Sequence, residues 1–534
     1  MQKVTVFDTT LREGMQGVEI NYTLEDKLAI AMELDSFKID YIEGGFPASN
    51  EKEAAFFKEI KKLSFSHSTV CAFGSTRRAG VKAIDDPHIR ALLDAETKGV
   101  VVVGKTWLAH VDKVLRTDPE ENLRMIADSI ETLKKEGREV IFDLEHFFDG
   151  WDDDSEYALR VLQAGTDAGA DYVVPCDTNG GTLPGRITEI YKSLPLDRLA
   201  PVGGHFHNDC GTAVANSLAA VEAGATQIQG TINGWGERCG NANLCVFIPN
   251  LIIKLGYEPA CAERLSHLTS LSRFVAEKAN IIPDKRQPYV GSAAFSHKAG
   301  QHADVVAKAG HLMEHIDSSL VGNERKVLLS ELAGKSTVVE KLGKYGTFSK
   351  KDAVVAELIG LLKEKERAGY EYEAAEASFD LLVRRALDLY RPILTIRNYH
   401  LESYKAFETP SKTVGRIFMT ADERELMGAA VGVGPVETLD AAVRDALVPH
   451  YPFIKKISLT DYRVRVLNPE LASAAKVRVF ITSTDHAGRS WDTVGVHENI
   501  VEASWEALVD SLEYYYNEYV LADETSAASK KAPA

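Results

Sequence analysis

Up to about residue 285 the chain repeats one alternation: a short β-branched run, then an amphipathic stretch, then a turn. Such runs lie at residues 41–42, 69–70, 100–103, 140–142, 172–174 and 227–228, and with 4–7 and 203–207 counted there are eight strand candidates. The amphipathic segments ahead of several of them end in a Gly-Ala stop or something close to it, as in 164–170 and 219–225, the kind of signal that closes a helix. Eight strands alternating with helices over roughly 250 residues is the size and rhythm of an α/β fold of the (β/α)8 type, a TIM barrel. A doubly wound open sheet would want a GxGxxG turn after its first strand. The turn here is Thr9-Thr10-Leu11-Arg12-Glu13-Gly14, which is not one.

A chain of 534 residues is too long for a single core, so further domains are expected. Residues 1–285 form the expected barrel. The strand signal fades over 286–405, where helical patterns at 351–367 and 371–390 dominate; the Glu-Ala-rich second pattern reads most simply as a solvated helix face. Pro392 and Pro410 mark a boundary. Residues 406–524 then read as a small α+β domain. It has strands at 413–419, 462–467 and 476–481, a helix after Gly432-Val433-Gly434-Pro435 and another at about 499–516. The Ala-Lys-rich end, 525–534, is expected to be a disordered tail.

A formal net charge of −17 argues against nucleic acid or an anionic membrane as partner, because both require basic patches. It leaves a small anionic substrate open, since such a molecule sees only the field of its pocket. The six cysteines form no CxxC pair and none lies in the second half of the chain, the pattern of reduced thiols rather than of a disulfide frame or zinc knuckle. No apolar run reaches membrane-spanning length. The start of the chain runs into a strand without a signal-peptide pattern, so the cytoplasm is the expected location.

The sharpest local feature is Gly204-His205-Phe206-His207-Asn208-Asp209. Side chains two apart on a strand share a face, so His205 and His207 can project together into a barrel mouth. Two imidazoles at that spacing suit one divalent metal; the plain alternative is a hydrogen-bonded structural pair. Two further segments, Phe7-Asp8-Thr9-Thr10-Leu11-Arg12-Glu13-Gly14 and Gly234-Trp235-Gly236-Glu237-Arg238-Cys239-Gly240-Asn241, also follow predicted strands. That is the end of a barrel where enzymes keep their chemistry. Read alone, each is also compatible with an ordinary βα loop.

Together the three segments resemble the DRE-TIM metallolyase superfamily, in its isopropylmalate, homocitrate and citramalate synthase branch. The likeness continues past the barrel. Residues 296–304 are similar to the segment that supplies this family's second-domain catalytic histidine. Gly434-Pro435-Val436 and residues 494–505 are similar to its amino-acid-sensing domain. Many members have Arg-Asp where this chain has Arg12-Glu13; homocitrate and some citramalate synthases carry Glu there.

The resemblance implies a divalent metal held by Glu13, His205 and His207 with Asn241 close by. Mg, Mn or Co suits such mixed oxygen and nitrogen ligation, with Zn a further candidate. It also implies that Arg12 stabilises the developing alkoxide, that Glu145 is the catalytic glutamate and that Thr178 holds the substrate carboxylate. His302 would move the methyl proton of acetyl-CoA. Because His302 lies outside the barrel, a second domain must complete the site, and a homodimer is expected.

Residues 72–78, 104–107, 145–150 and 369–384 look like the citramalate branch. The substrates implied are acetyl-CoA and pyruvate, at the entry to a threonine-independent route to isoleucine. Isoleucine is then the first candidate effector and leucine the second. The alternative acceptor is 2-oxoisovalerate, as in isopropylmalate synthases. A lyase of the superfamily or a non-catalytic sensor fits less well, the first because those lyases are generally barrel-only, the second because all the catalytic groups are present.

Overall fold

Eight parallel strands, paired in chain order, close on themselves: β1 (Thr5–Asp8), β2 (Tyr41–Gly45), β3 (Thr69–Ser75), β4 (Gly99–Lys105), β5 (Glu139–Glu145), β6 (Tyr172–Asp177), β7 (Gly203–Phe206) and β8 (Gln227–Gly230). The closing pair sets Thr5 to Asp8 of β1 beside Gln227 to Gly230 of β8. All eight strand candidates are barrel strands, and the expected TIM barrel is the fold observed. This computed structural model describes residues 4–297, 312–327, 335–405, 410–467 and 475–521.

Alternation along the strands gives the barrel two cores. Outward residues such as Val6, Ile42, Ala72, Val100, Val102, Val140, Phe142, Val173 and Ile228 join the large core beneath the surrounding helices. Inward residues Phe7, Cys71, Val101, Ile141 and Val174 fill the centre as a separate apolar layer. Two residues further along the same inward faces, towards the C-terminal ends, the composition turns polar: Glu43, Asp143 and His205, with Gln229 beside them, all buried. The helices start where their caps dictate. Thr23 and Asp26 make a reciprocal capping box ahead of Leu24–Ser36, and Asp118 caps Pro119–Lys135.

The described chain forms two compact units, Met1–Phe295 with Ile316–Arg325, and Ser296–His315 with Lys326–Ala534. The second contains a short parallel pair, β9 (Ser296–His297) and β10 (Lys326–Val327), and the helices Ala353–Ala368 and Glu376–Ala386. After these, one pattern occurs twice. Strands β11 (Thr395–Tyr404), β12 (Lys412–Ala421) and β13 (Arg424–Gly432) form an antiparallel sheet followed by the helix Pro435–Leu447. Strands β14 (Ile457–Val466), β15 (Val477–Asp485) and β16 (Ser490–His497) form another, followed by the helix Ile500–Tyr515. In each repeat a glycine on the third strand lets backbone meet backbone. A Cβ on Gly428 would sit 1.9 Å from the Ala442 carbonyl, and one on Gly495 would sit 2.0 Å from that of Ala503.

This second unit differs from expectation in detail. β11 occupies part of the stretch expected to be helical up to 405, and β13 and β16 were not among the expected strands. The sheet β14–β16 also has a cover that the sequence did not suggest. Phe480, Val494 and Val496 pack with Leu358, Leu362, Phe379 and Val383 of the two helices, so the second pattern, at 371–390, is not a solvated face. The six cysteines are free thiols, four of them buried. Among the described residues, no helix is long and apolar enough to cross a membrane. The expected tail, 525–534, lies outside the described residues.

Candidate active site

His205 is the inward residue at the end of β7, and His207 follows one step beyond the strand. Their Nε2 atoms face each other at 3.3 Å. Glu13, on the loop after β1, completes a buried group in which one ligand atom from each residue lies within 4.8 Å of the others.

The orientation of His205 follows from what stands behind it. Gln229 Nε2 donates to Asp143 Oδ1 at 2.9 Å, which leaves Gln229 Oε1 to accept from His205 Nδ1 at 2.7 Å. An imidazole that donates through Nδ1 keeps its lone pair on Nε2, so the chain Asp143–Gln229–His205 turns that lone pair into the cluster.

The electrostatics agree with a ligand role. Burial lowers both imidazoles, His207 to about 3, so both are neutral at neutral pH. Burial alone would raise Glu13, but the Arg12 guanidinium beside it overrides this and holds the carboxyl at about 2. A carboxylate with two neutral imidazoles is the protonation state that binds a cation. Among the described residues, Glu13 Oε2, His207 Nδ1 and Asn241 Oδ1 are buried without a hydrogen-bond partner. A divalent ion would be a partner for the carboxylate and amide oxygens, so the residues present fit one.

Arg12 is fixed on three sides. It pairs with Glu13, its Nε donates to Glu43 Oε2 at 2.5 Å, and its guanidinium carbon lies 3.9 Å from the centre of the Phe73 ring. Burial pushes the Glu43 carboxyl up while Arg12 opposes that shift. Asn241 comes to the cluster on the loop after β8, bridged to His207, and its Nδ2 lies 3.1 Å from His205 Nε2. That loop needs Gly240: φ is +87°, and a Cβ there would lie 2.0 Å from the Gly234 carbonyl.

The other expected residues are distributed unevenly. Glu145 ends β5 and is ion-paired with Lys105, its register partner at the end of β4. Thr178 follows β6; the preceding residue, Asp177, accepts from the His207 N–H at 3.2 Å. The Thr178 hydroxyl accepts from the His146 N–H at 2.9 Å, and its carbonyl accepts from Arg238 at 2.7 Å. His302 lies outside the described residues. Glu43, Asp143 and Gln229 were not singled out from the sequence. The available signal was parity: each is a polar residue at an inward position near the C-terminal end of a barrel strand.

Comparison with known proteins places the chain in a family. A family described as HMGL-like matches residues 3–275, a homocitrate synthase post-HMGL domain-like family matches 289–367, and the LeuA allosteric (dimerisation) domain matches 373–516. The (R)-citramalate synthase of Aquifex aeolicus is 48% identical over 96% of this chain and 98% of its own. That of Geobacter sulfurreducens is 46% identical, with the same coverage. The 2-isopropylmalate synthase of Methanocaldococcus jannaschii is 30% identical over 96% of this chain and 94% of its own. The chain therefore belongs to the HMGL-like family of DRE-TIM enzymes, within the group formed by the citramalate synthases.

Proposed function

We infer that this chain condenses acetyl-CoA with pyruvate and hydrolyses the thioester, releasing citramalate and CoA. The observation that carries the reading is its similarity to five proteins named (R)-citramalate synthase. They are 48% to 43% identical over 95–96% of the chain, against 30% for the 2-isopropylmalate synthase. The same R configuration is proposed for the product.

Glu13, His205 and His207, with Asn241, would hold a divalent ion of the Mg, Mn or Co kind, which when bound polarises the ketone of the oxo acid. The remaining steps fall to side chains. Thr178 holds the oxo-acid carboxylate. His302 takes a proton from the acetyl methyl group, and the resulting carbanion attacks the ketone carbon. The C=O pair moves onto oxygen, where Arg12, already fixed by Glu13, Glu43 and Phe73, donates its hydrogen bonds. Glu145, ion-paired with Lys105, serves as the catalytic glutamate. Water then adds to the thioester carbonyl and CoA leaves as its thiol.

The LeuA-type domain supports two further parts of the reading, a homodimer and an amino-acid effector, isoleucine before leucine. The test of the catalytic reading is CoA release from acetyl-CoA and pyruvate by the whole chain. Release is expected to stop on chelation, to return with Mg, Mn or Co, and to be lost together with metal binding in folded His207→Ala. A chelated enzyme or a His207→Ala variant with full turnover would refute the metal role.

A further inference from the structure

We propose that His146 is a positioning residue whose left-handed backbone, not its ring chemistry, sets the subsite for the oxo-acid carboxylate. This rests on the reading of Thr178 as the group that holds that carboxylate.

His146 directly follows Glu145 at the end of β5 and has φ 55° and ψ 37°. Left-handed backbone is uncommon for any residue with a Cβ, although His, with Asn and Asp, is found there more often than most. It persists where surroundings over-determine it, and here they do. His146 Nδ1 lies 3.0 Å from Asp149 Oδ2. Its ring centre is 4.4 Å from that of His110 and 5.9 Å from that of Trp107. Its carbonyl accepts from Gly150 N at 2.9 Å. The side chain is thus occupied in packing and in holding the turn.

What the turn delivers is the backbone N–H, aimed at Thr178 Oγ1 across the gap between the β5 and β6 loops. A hydroxyl has one proton to give and two lone pairs to receive. By accepting from His146, Thr178 commits a lone pair on that side and keeps its proton to donate. A carboxylate can only accept, so the hydroxyl is held in the sense its ligand requires. The same carboxylate that holds His146 also fixes the next residue of the β6 loop: Asn179 Nδ2 donates to Asp149 Oδ1 at 3.0 Å. From the other side Arg238, paired with Asp209 at 2.8 and 2.9 Å, donates to the Thr178 carbonyl. Thr178 is therefore fixed from the loops after β5, β7 and β8.

The test is a series at one position in the whole enzyme, read as KM for pyruvate and, separately, KM for acetyl-CoA. His146→Val places a β-branched residue where left-handed backbone is a genuine outlier. KM for pyruvate is expected to rise roughly tenfold or more, the loss of one hydrogen bond to a charged group, with KM for acetyl-CoA little moved. His146→Gly and His146→Asn, which both accept the conformation, are expected to recover most of that loss. If Gly and Asn lose as much as Val, the ring is what matters and the proposal fails. It also fails if Val binds pyruvate as wild type does. Thr178→Val is the separate check on the underlying reading: an unchanged KM for pyruvate there removes the Thr178 role, and the proposal with it. Thermal melts identify a Val variant that does not fold, in which case the Gly and Asn results decide alone.

Discussion

Arg12 reaches its place through one loop residue, one carboxylate from the neighbouring strand and one aromatic face, and each contact uses the planar fork. Arg12→Lys keeps the charge but cannot reproduce two aligned donors. The expected result is a fall in kcat of about 10²–10³, the typical cost of one lost oxyanion donor, measured by steady-state CoA release. Gln229 makes no contact with substrate in this account, yet it fixes the tautomer of His205. Gln229→Leu is expected to weaken binding of Mn or Co by about 10–100-fold, as is usual for groups behind a metal ligand, with the fold retained. Calorimetric titration of metal into metal-free protein checks this. Residues of the site were legible in the sequence to the extent that their spacing was diagnostic. His205 and His207 stand out because a strand repeats every two residues. Gln229 and Asp143 do not, because their partnership joins positions 86 apart in the chain and neither residue type is distinctive alone.

At the scale of elements, seven of the eight barrel strands carry β-branched residues between amphipathic segments, while β7, Gly203–Phe206, carries none and was legible only from the rhythm of the rest. The second unit was less so, and one hairpin shows why. β12 and β13 are joined by the two residues Asp422 and Glu423, at φ 46° and 62°. A two-residue turn of this kind is usually announced by Asn-Gly or Asp-Gly; Asp-Glu gives no such sign, and the third strand of the sheet went unread. The helix Ile500–Tyr515 carries a testable pH response. Burial, with the charge of Asp510, pushes the Glu513 carboxyl from 4.5 up to about 7 against the hydrogen bond from Tyr390 and the charge of Arg385. A carboxyl raised on folding binds its proton more tightly in the folded state. Its contribution is therefore complete below pH 4.5 and is lost as pH rises through about 7. Amide exchange in this helix, corrected for intrinsic rates, is expected to be more protected at about pH 5 than at about pH 8. Glu513→Gln should reduce that difference; an unchanged profile in the variant would remove Glu513 as its source.

At the scale of the whole chain, the second unit cannot be divided at Pro410 without consequence. Phe379, Leu382 and Val383 share a core with Phe480, Val494 and Val496, and Ser378 hydrogen-bonds both Asp510 and the Val494 N–H. A chain ending at 410 is expected to expose that core and bind a hydrophobic dye, with lower turnover. Isoleucine sensing is better read on the intact chain, by calorimetry alongside activity; neither heat nor inhibition with isoleucine or leucine would leave the effector reading without support. The central claim concerns the acceptor, and it is tested by kcat/KM for pyruvate and for 2-oxoisovalerate with acetyl-CoA saturating. A pocket that distinguishes side chains by a few methyl or methylene groups typically separates them by about 10–200-fold. The account predicts a ratio of that order in favour of pyruvate, and a ratio favouring 2-oxoisovalerate would contradict it.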